Sequence, residues 1–477
     1  MNPEKLFKYL IPLFVLAIVS RAIKEISFFY YAVPVMCVVF IIYFIWIVAS
    51  HSGEVEQRET SQESVVEKGS DSLLASLSRM TSLILVLIPG VWFLLTALWS
   101  SYPMISAERA LYFILISMGC ISAGILWTKY SRNELLDFLL PANVLVVLLC
   151  IFSLITNIPS DSWMGGNHKG FMGFFGQQNQ LASILLFTMP VVFVKLKRQV
   201  SSEQLIVNSN ETKSQIPTRL GRGSTLAAHY LLLTSYYLLL ASNLLLLLLT
   251  YSRASILSLV IGAVVFLVIN KNWKVIAYSL GVIIIFVVIV LINPAFNKFS
   301  EDIINKDFPE FYSSRMWMWE PSYRAALNGG ITGLGYGISD PDIKPGSLGD
   351  HYENGRFVRE KGNSVLALVE ETGLIGLVLF IMAIFVIVIL SVTKDLTQRR
   401  FFSRLDGIRM TTNHSLLITK YSLLTASLAA FIIHAQFEAW WVGVGSVQLP
   451  LFFIYIGLIS RNSKSAPRLD ERINTNL

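Results

Sequence analysis

The apolar positions of this chain come in uninterrupted blocks rather than in stripes. Ser82–Leu98, Asn143–Leu154, Tyr230–Tyr251, Val275–Ile292 and Leu374–Val392 contain no charged residue. At about 1.5 Å per residue, a block of about 18–25 apolar residues spans the roughly 30 Å hydrocarbon core of a bilayer. A helix of a soluble core is shorter and keeps a polar face, which these blocks lack. The pattern predicts about twelve membrane-spanning helices, near residues 7–20, 27–50, 82–98, 109–127, 134–156, 180–195, 229–250, 254–270, 275–292, 364–391, 420–436 and 446–460. The expected fold class is therefore an all-α polytopic membrane protein. Its connections are short except for one long polar loop, between Pro294 and Asn363.

Composition agrees with this picture. Of 477 residues, 54% are hydrophobic and 14% charged, whereas a soluble domain carries roughly 25% charged residues. Lys5 and Lys8 precede the apolar run Tyr9–Ser20 without a convincing small-residue cleavage site, which reads as a retained helix rather than a signal peptide. The net charge of +7 is not a nucleic-acid stripe, because the basic residues sit in short loops between spans. With both termini in the cytoplasm, inside segments hold most of the 38 basic residues, as the positive-inside rule requires. The long loop then lies outside, where length exempts it from that rule.

Gly53–Ser78 and Lys197–Gly223 are polar, lack hydrophobic periodicity and read as flexible cytoplasmic linkers. The expected organisation is 1–81 as N-terminal spans and linker, 82–392 as a membrane core that includes the outer loop, and 393–477 as a cytoplasmic loop, two spans and a basic tail. Cys37, Cys120 and Cys150 all lie in apolar blocks and show neither disulfide nor metal-ligand spacing. No cofactor or metal is expected.

Ionisable residues within spans are few, with Asp137, His434 and Glu438 near span ends. A proton-coupled transporter needs such groups near mid-membrane, so chemistry at the outer surface fits better. Four outward features could carry it. Gly173–Ala182 is a glycine-punctuated, amide-rich approach to a span, in which Asn179 either caps a helix or hydrogen-bonds a carbohydrate or phosphate. Thr250–Ser255 is a very short turn that pins Arg253 at the outer interface, beside lipid headgroups or an anionic ligand. Ser313–Gly337 places Arg315, Trp319, Glu320 and Arg324 at helical spacing, followed by Gly333, Gly335 and Gly337. It reads either as an interfacial helix with aromatic anchors or as a site for an anionic sugar lipid, with guanidinium on phosphate. Asp350–Glu353 contains His351, the one histidine of the long loop, and Gly362–Leu377 follows.

In this order, the features resemble the O-antigen ligase and polymerase superfamily, bacterial membrane glycosyltransferases of the GT-C-like kind. The resemblance rests on Trp99-Ser100-Ser101-Tyr102-Pro103, on Gly176–Ala182 with Asn179, on Ser252-Arg253, on Arg315 and Trp319 followed by Gly333, Gly335 and Gly337, and on Asn363, Leu366 and Glu371–Leu377. It covers roughly residues 90–390. In that family a histidine immediately precedes the asparagine that aligns with Asn363. Here Gly362 stands there and His351 lies upstream, which leaves His351, Glu353 and Glu360 open for the acid–base role.

The resemblance implies transfer of a glycan from undecaprenyl diphosphate to an acceptor sugar on the outer face of the inner membrane. The product would be lipopolysaccharide, exopolysaccharide or another cell-envelope glycan. Arg253 and Arg315 would bind the diphosphate and stabilise the charge it gains on leaving. His351, and after it Glu353, would take the acceptor's proton. Asn179, Trp319, Arg324 and Asn363 would bind the glycan or support the site. The reaction would be metal-independent and inverting, with a lipid-linked donor, a lipid or glycan acceptor and membrane lipids as partners and no nucleic acid. These residues do not separate ligase from polymerase, although Gly362 in place of the family's histidine leans slightly toward a polysaccharide polymerase. A lipid-linked-glycan flippase, or a non-catalytic subunit of an assembly complex, would differ by charges inside the spans or by outer arginines that fail to converge.

Overall fold

A computed structural model of the chain describes residues 3–23, 29–59, 66–130, 135–164, 170–212, 219–271, 273, 313–343, 351–353, 356–404, 412–443 and 445–460. The predicted span 275–292 lies outside the described residues, as do 294–312, 344–350 and 354–355 of the long polar loop. Every other predicted span coincides with a helix. In chain order the described α-helices are α1 (Pro3–Ser20), α2 (Phe29–Glu59), α3 (Val66–Leu95), α4 (Pro103–Tyr130), α5 (Leu140–Thr156), α6 (Gln178–Thr212), α7 (Arg219–Leu249), α8 (Arg253–Ile269), α9 (Ser313–Gly329), α10 (Ser364–Arg404), α11 (Thr412–Ala435) and α12 (Gln448–Ile459), of which α9 lies in the long polar loop and matches no predicted span. Among the described residues, six helical stretches are long and apolar enough to cross a membrane: Met80–Leu98, Pro103–Lys129, Asp137–Thr156, Gln178–Val200, Ala228–Leu249 and Ser364–Ile389. Shorter apolar helices cover Leu6–Ser20, Ala32–Ile47, Arg253–Ile269, Ser422–Ala435 and Gln448–Ile459.

The sequence reading of the two polar linkers needs correction. Helix α2 continues to Glu59 and α3 begins at Val66, so much of Gly53–Ser78 is helical. Likewise α6 runs to Thr212 and α7 starts at Arg219. Glu, Gln, Lys and Arg are good helix formers even where no apolar face asks for a helix, so absent hydrophobic periodicity did not mean absent helix.

Two kinds of apolar helix are distinguishable. Every residue of α12 is buried, and it packs against α4, α11, α10 and α6. It is apolar on all sides because protein surrounds it. Helix α7 instead exposes Leu231, Leu238 and Leu245, a stripe at seven-residue spacing. An exposed leucine stripe on a long span fits a lipid-facing surface. One buried amide cluster inside the bundle is mutually satisfied. Asn143 Nδ2 donates to Asn243 Oδ1 (2.8 Å) and to Thr188 Oγ1 (2.9 Å), and Asn243 Nδ2 returns a bond to Asn143 Oδ1 (3.0 Å). This clasp ties α5, α6 and α7 together where no water is available. Lys195, midway along α6, pairs with Asp137. The three cysteines are buried and free, as their apolar surroundings implied.

Small irregular elements complete one end of the bundle. A two-stranded ribbon, β1 (Trp163–Met164) with β2 (Gly170–Phe171), precedes α6. A second hairpin, β3 (His351–Glu353) with β4 (Arg356–Val358), precedes α10 and pairs His351 with Val358.

Candidate functional site

Helix α10 breaks at Gly373, where φ is 71° and ψ is 179°. In an unbroken helix the N–H groups of residues 374 and 375 would donate to the carbonyls of residues 370 and 371. Here Leu374 N donates to Gly330 O (3.0 Å) and Ile375 N to Ile331 O (3.2 Å). The carbonyls released by the break accept instead from Leu334 N and Gly335 N, each at 2.9 Å. The glycine-rich segment after α9 is therefore stitched into the gap of α10. The two N–H groups and two carbonyls freed by the break thus find new partners, as a buried site requires.

The same segment is held by the Trp99–Pro103 region. Trp99 Nε1 donates to Gly333 O (3.0 Å), Ser106 Oγ to Tyr336 O (3.0 Å), and Tyr336 N to Thr96 Oγ1 (2.9 Å). Trp92 Nε1 reaches Thr372 O (2.8 Å). The Tyr336 ring stacks on Phe93 at 4.7 Å and meets Phe113 edge-on at 5.9 Å. Burial pushes the Tyr336 phenol well above its ordinary pKa, the Glu371 carboxylate adds to the rise, and Arg109 opposes it. Tyr336 is thus a neutral aromatic plug.

Two adjacent carboxylates stand behind this segment. Glu370 is fully buried and Glu371 is 3% exposed. Arg359 Nη2 donates to Glu370 Oε2 (2.5 Å), and its Nη1 to Ser322 Oγ (2.9 Å). Lys361 Nζ donates to Glu371 Oε1 (2.5 Å) and lies 3.4 Å from Glu370 Oε2. The remaining carboxylate oxygens accept backbone N–H groups, Glu370 Oε1 from Asp340 (2.9 Å) and Glu371 Oε2 from Gly337 (2.7 Å). Buried charges persist when paired and hydrogen-bonded in this way. Sequence reasoning counted Asp137, His434 and Glu438 as the ionisable residues of the spans; Glu370 and Glu371 join them, paired with cations from the loop.

In front of this network lies a polar cavity of about 550 Å³. One wall carries Arg109, Gly337, Ser339, Val358, Arg359, Glu360, Lys361 and Glu371; the other carries Gly176, Gln177, Asn179, Gln180, Glu438, Ala439, Trp440, Val442, Gly443, Ser446 and Gln448. Helices α6, α10 and α12 begin around it and α11 ends beside it. The wall nearest α12 is pinned to the start of α10. Asn363 Nδ2 donates to Gln436 O (2.8 Å), Ser364 Oγ to Glu438 O (2.6 Å), and Trp441 N to Ser364 Oγ (3.2 Å). A cavity with amides, carboxylates and cations can hold a hydroxyl-rich or phosphorylated ligand, since it offers both donors and acceptors.

The residues singled out in the sequence take distinct places. Asn179 lies in the first turn of α6, and its Nδ2 donates to Glu438 Oε1 (2.7 Å) across the cavity wall. It spends its amide on that bond rather than on capping. Asn363 is the residue that caps, its Oδ1 accepting from Val365 N (2.8 Å) and Leu366 N (3.0 Å). Asn363→Ala should lower stability by about 1 kcal/mol for the cap plus the loss of the tether to Gln436. Asn363→Asp keeps the cap acceptor and should recover part of that loss in thermal unfolding of the purified protein.

Trp319 packs on Phe437 (5.9 Å between rings) and donates Nε1 to Gly362 O (3.1 Å), at the edge of the pinned wall. Arg324 forms an exposed i,i+4 pair with Glu320 at 2.6 Å, the kind of pair that contributes little to stability. Arg253 opens α8 directly after the Thr250–Ser252 turn. It is not among the residues lining the cavity, but a hydrogen-bonded chain joins its turn to the cavity wall. Ser252 Oγ donates to Ser255 Oγ (3.2 Å), His434 Nε2 lies 3.0 Å from Ser255 Oγ, and Trp440 Nε1 donates to His434 Nδ1 (3.2 Å). The indole N–H fixes Nδ1 as the acceptor, so Nε2 carries the proton toward Ser255. Arg315 lies in the first turn of α9. His351 and Glu353 lie in β3, and the pairing of His351 with Val358 brings its backbone beside a cavity-lining residue. The side chains of Arg315, His351 and Glu353 lie outside the described residues.

Arg109, Arg359, Lys361 and the Glu438–Gln448 wall were not singled out as site residues. The available signals were the placement of Arg109 at an outer span end and of His434 and Glu438 at another. Arg359 and Lys361 carried no pattern pointing to Glu370 and Glu371, because hairpin and helix meet only in three dimensions.

Against known proteins, residues 237–381 match the family model described as O-antigen ligase. The matched segment contains the Ser252-Arg253 turn, α8, α9, the glycine-rich insertion and the first part of α10. Together with the apolar helices, the match identifies an integral membrane protein. No curated protein matches the chain.

Proposed function

We propose that this integral membrane protein of the O-antigen ligase and polymerase superfamily is a glycosyltransferase that joins an undecaprenyl-diphosphate-linked glycan to an acceptor sugar. It works at the outer face of the bacterial inner membrane, with both termini cytoplasmic and about twelve GT-C-like spans. The observation that supports this reading best is the polar cavity at one end of an apolar bundle, next to which the separate elements of the family resemblance meet. The tryptophan–serine element, the glycine-rich insertion and the acidic pair of α10 beside its break form one hydrogen-bonded unit behind it.

In the proposed reaction the acceptor hydroxyl oxygen attacks the anomeric carbon and forms the new glycosidic bond. The bond from that carbon to the diphosphate oxygen breaks, and the electron pair leaves with the lipid diphosphate. Arg253 and Arg315 neutralise the charge building there. His351, or Glu353 in its place, takes the hydroxyl proton. A single displacement inverts the anomeric centre and needs no metal. Trp319, Arg324 and Asn363 support the outer wall. O-antigen ligation and surface-polysaccharide polymerisation share this chemistry and differ in the acceptor.

The test is transfer in proteoliposomes supplied with a lipid-linked donor and candidate acceptors. Arg253→Ala and Arg315→Ala should each lower turnover about 10²–10³-fold, the loss typical of removing one group that stabilises developing negative charge. Wild-type turnover in both variants would overturn the reading.

A further inference from the structure

We propose that the wall formed by the start of α6 and the connection between α11 and α12 is the acceptor subsite, built for an uncharged, hydroxyl-rich sugar, with Glu438 as its specificity-determining residue. The inference rests on the glycosyl-transfer reading and adds to it the side on which the acceptor binds and the chemistry that selects it.

The first observation is where the wall comes from. The family match ends at residue 381 and begins at 237. Beside its apolar and aromatic residues, the wall presents Gln177, Asn179, Gln180, Glu438, Ser446 and Gln448, all outside that segment. Arg253 and Arg315, which the glycosyl-transfer reading assigns to the diphosphate, lie inside that segment, and the wall contributed by other parts of the chain is then left for the acceptor.

The second observation is its chemistry. Five of those six residues are neutral amides or a hydroxyl, which offer donors and acceptors together, as sugar hydroxyls do. Glu438 carries the one charge among them, and it is an anion. A carboxylate accepts strong hydrogen bonds from hydroxyls and repels a uronate or phosphate placed beside it. The cavity's cations, Arg109, Arg359 and Lys361, come from other elements: Arg359 and Lys361 are committed to Glu370 and Glu371, and Arg109 donates to Gly337 O.

The third observation is rigidity. The Glu438 carboxylate accepts from Asn179 at 2.7 Å, and its backbone carbonyl accepts from Ser364 at 2.6 Å. Two residues on, Trp440 is locked to His434. A carboxylate fixed from α6, α10 and α11 is preorganised, so a sugar that binds it does not have to order the wall first.

The experiment uses the full chain in nanodiscs and two acceptor probes, a hexose trisaccharide and the same trisaccharide ending in a uronic acid. Calorimetric titration of the wild-type protein should show tighter binding of the uncharged probe. Glu438→Ala should weaken that binding about ten-fold or more, the loss expected for a hydrogen bond to a charged group. In transfer assays it should raise the acceptor KM by the same factor and leave the donor KM unchanged. Glu438→Gln keeps the acceptor for Asn179, should bind the uncharged probe with intermediate affinity, and should lose the discrimination against the uronate. It is the deciding variant if Glu438→Ala lowers thermal stability. Transfer with an unaltered acceptor KM in both variants, or a wild-type preference for the uronate, overturns the subsite and leaves glycosyl transfer standing. Glu438-dependent sugar binding without any transfer from a lipid diphosphate overturns the reaction and retains the subsite. A wild-type protein that neither binds sugar nor transfers it overturns both.

Discussion

Replacing Arg359 with alanine is expected to destabilise the protein by about 3–5 kcal/mol, the cost of leaving one partner of a buried ion pair alone. Glu370 is fully buried and Arg359 is 5% exposed, so the carboxylate would lose a charge-assisted partner where little water reaches it. After the substitution Glu370 would keep the Asp340 N–H and a longer approach from Lys361 at 3.4 Å. Lys361 cannot fill the gap, because it already serves Glu371 at 2.5 Å. The measurement is thermal unfolding in detergent, with Arg359→Met/Glu370→Gln as control. That pair removes both charges and keeps an acceptor for Asp340, and matched removal of a buried pair is often close to neutral. A single variant as stable as wild type would show that the pair does not hold hairpin and helix together. Equal losses in the single and double variants would show that shape, rather than charge, is what matters there.

That pair also marks where the sequence stopped being legible. The spans could be read because a bilayer demands long uncharged runs, whatever their neighbours. Even buried α12 and lipid-facing α7 gave the same signal, so the sequence located both and distinguished neither. The polar linkers were misjudged for the opposite reason. Their helices are written in intrinsic propensity, which an apolar period does not display. The motifs were visible one at a time: Trp99 and Ser100, the glycines at 333, 335 and 337, and Glu371 with Gly373. What joined them was a swap of backbone hydrogen bonds between residues 330–335 and 370–375, which leaves no trace in side-chain pattern. Asn179 was recognisable as unusual, yet capping and ligand binding were both open until Glu438 stood opposite it.

Substituting Gly335 or Gly337 should be as damaging as breaking the ion pair, and for a separable reason. Both backbones are left-handed, with φ of 118° and 78°. A Cβ on Gly335 would lie 2.3 Å from Ser100 Oγ and 2.5 Å from Ser100 Cβ; one on Gly337 would lie 2.2 Å from Arg109 Cδ. Alanine at either site therefore meets backbone strain of roughly 1–2 kcal/mol and steric overlap as well. Gly330 separates the two effects. Its φ is 57°, but the nearest atom to an added Cβ is Leu327 O at 3.9 Å, so Gly330→Ala should cost the strain alone. The expected order of thermal stability is wild type, then Gly330→Ala, then Gly335→Ala and Gly337→Ala well below. Glycosyl transfer should fall further in Gly337→Ala than its stability loss explains. Its clash displaces Arg109 from the cavity wall, and Gly337 N also holds the Glu371 carboxylate at 2.7 Å. If all three alanine variants lost stability equally, the insertion would be tolerating the added methyl groups, and the tight seating of the glycine segment against Ser100 and Arg109 would be wrong.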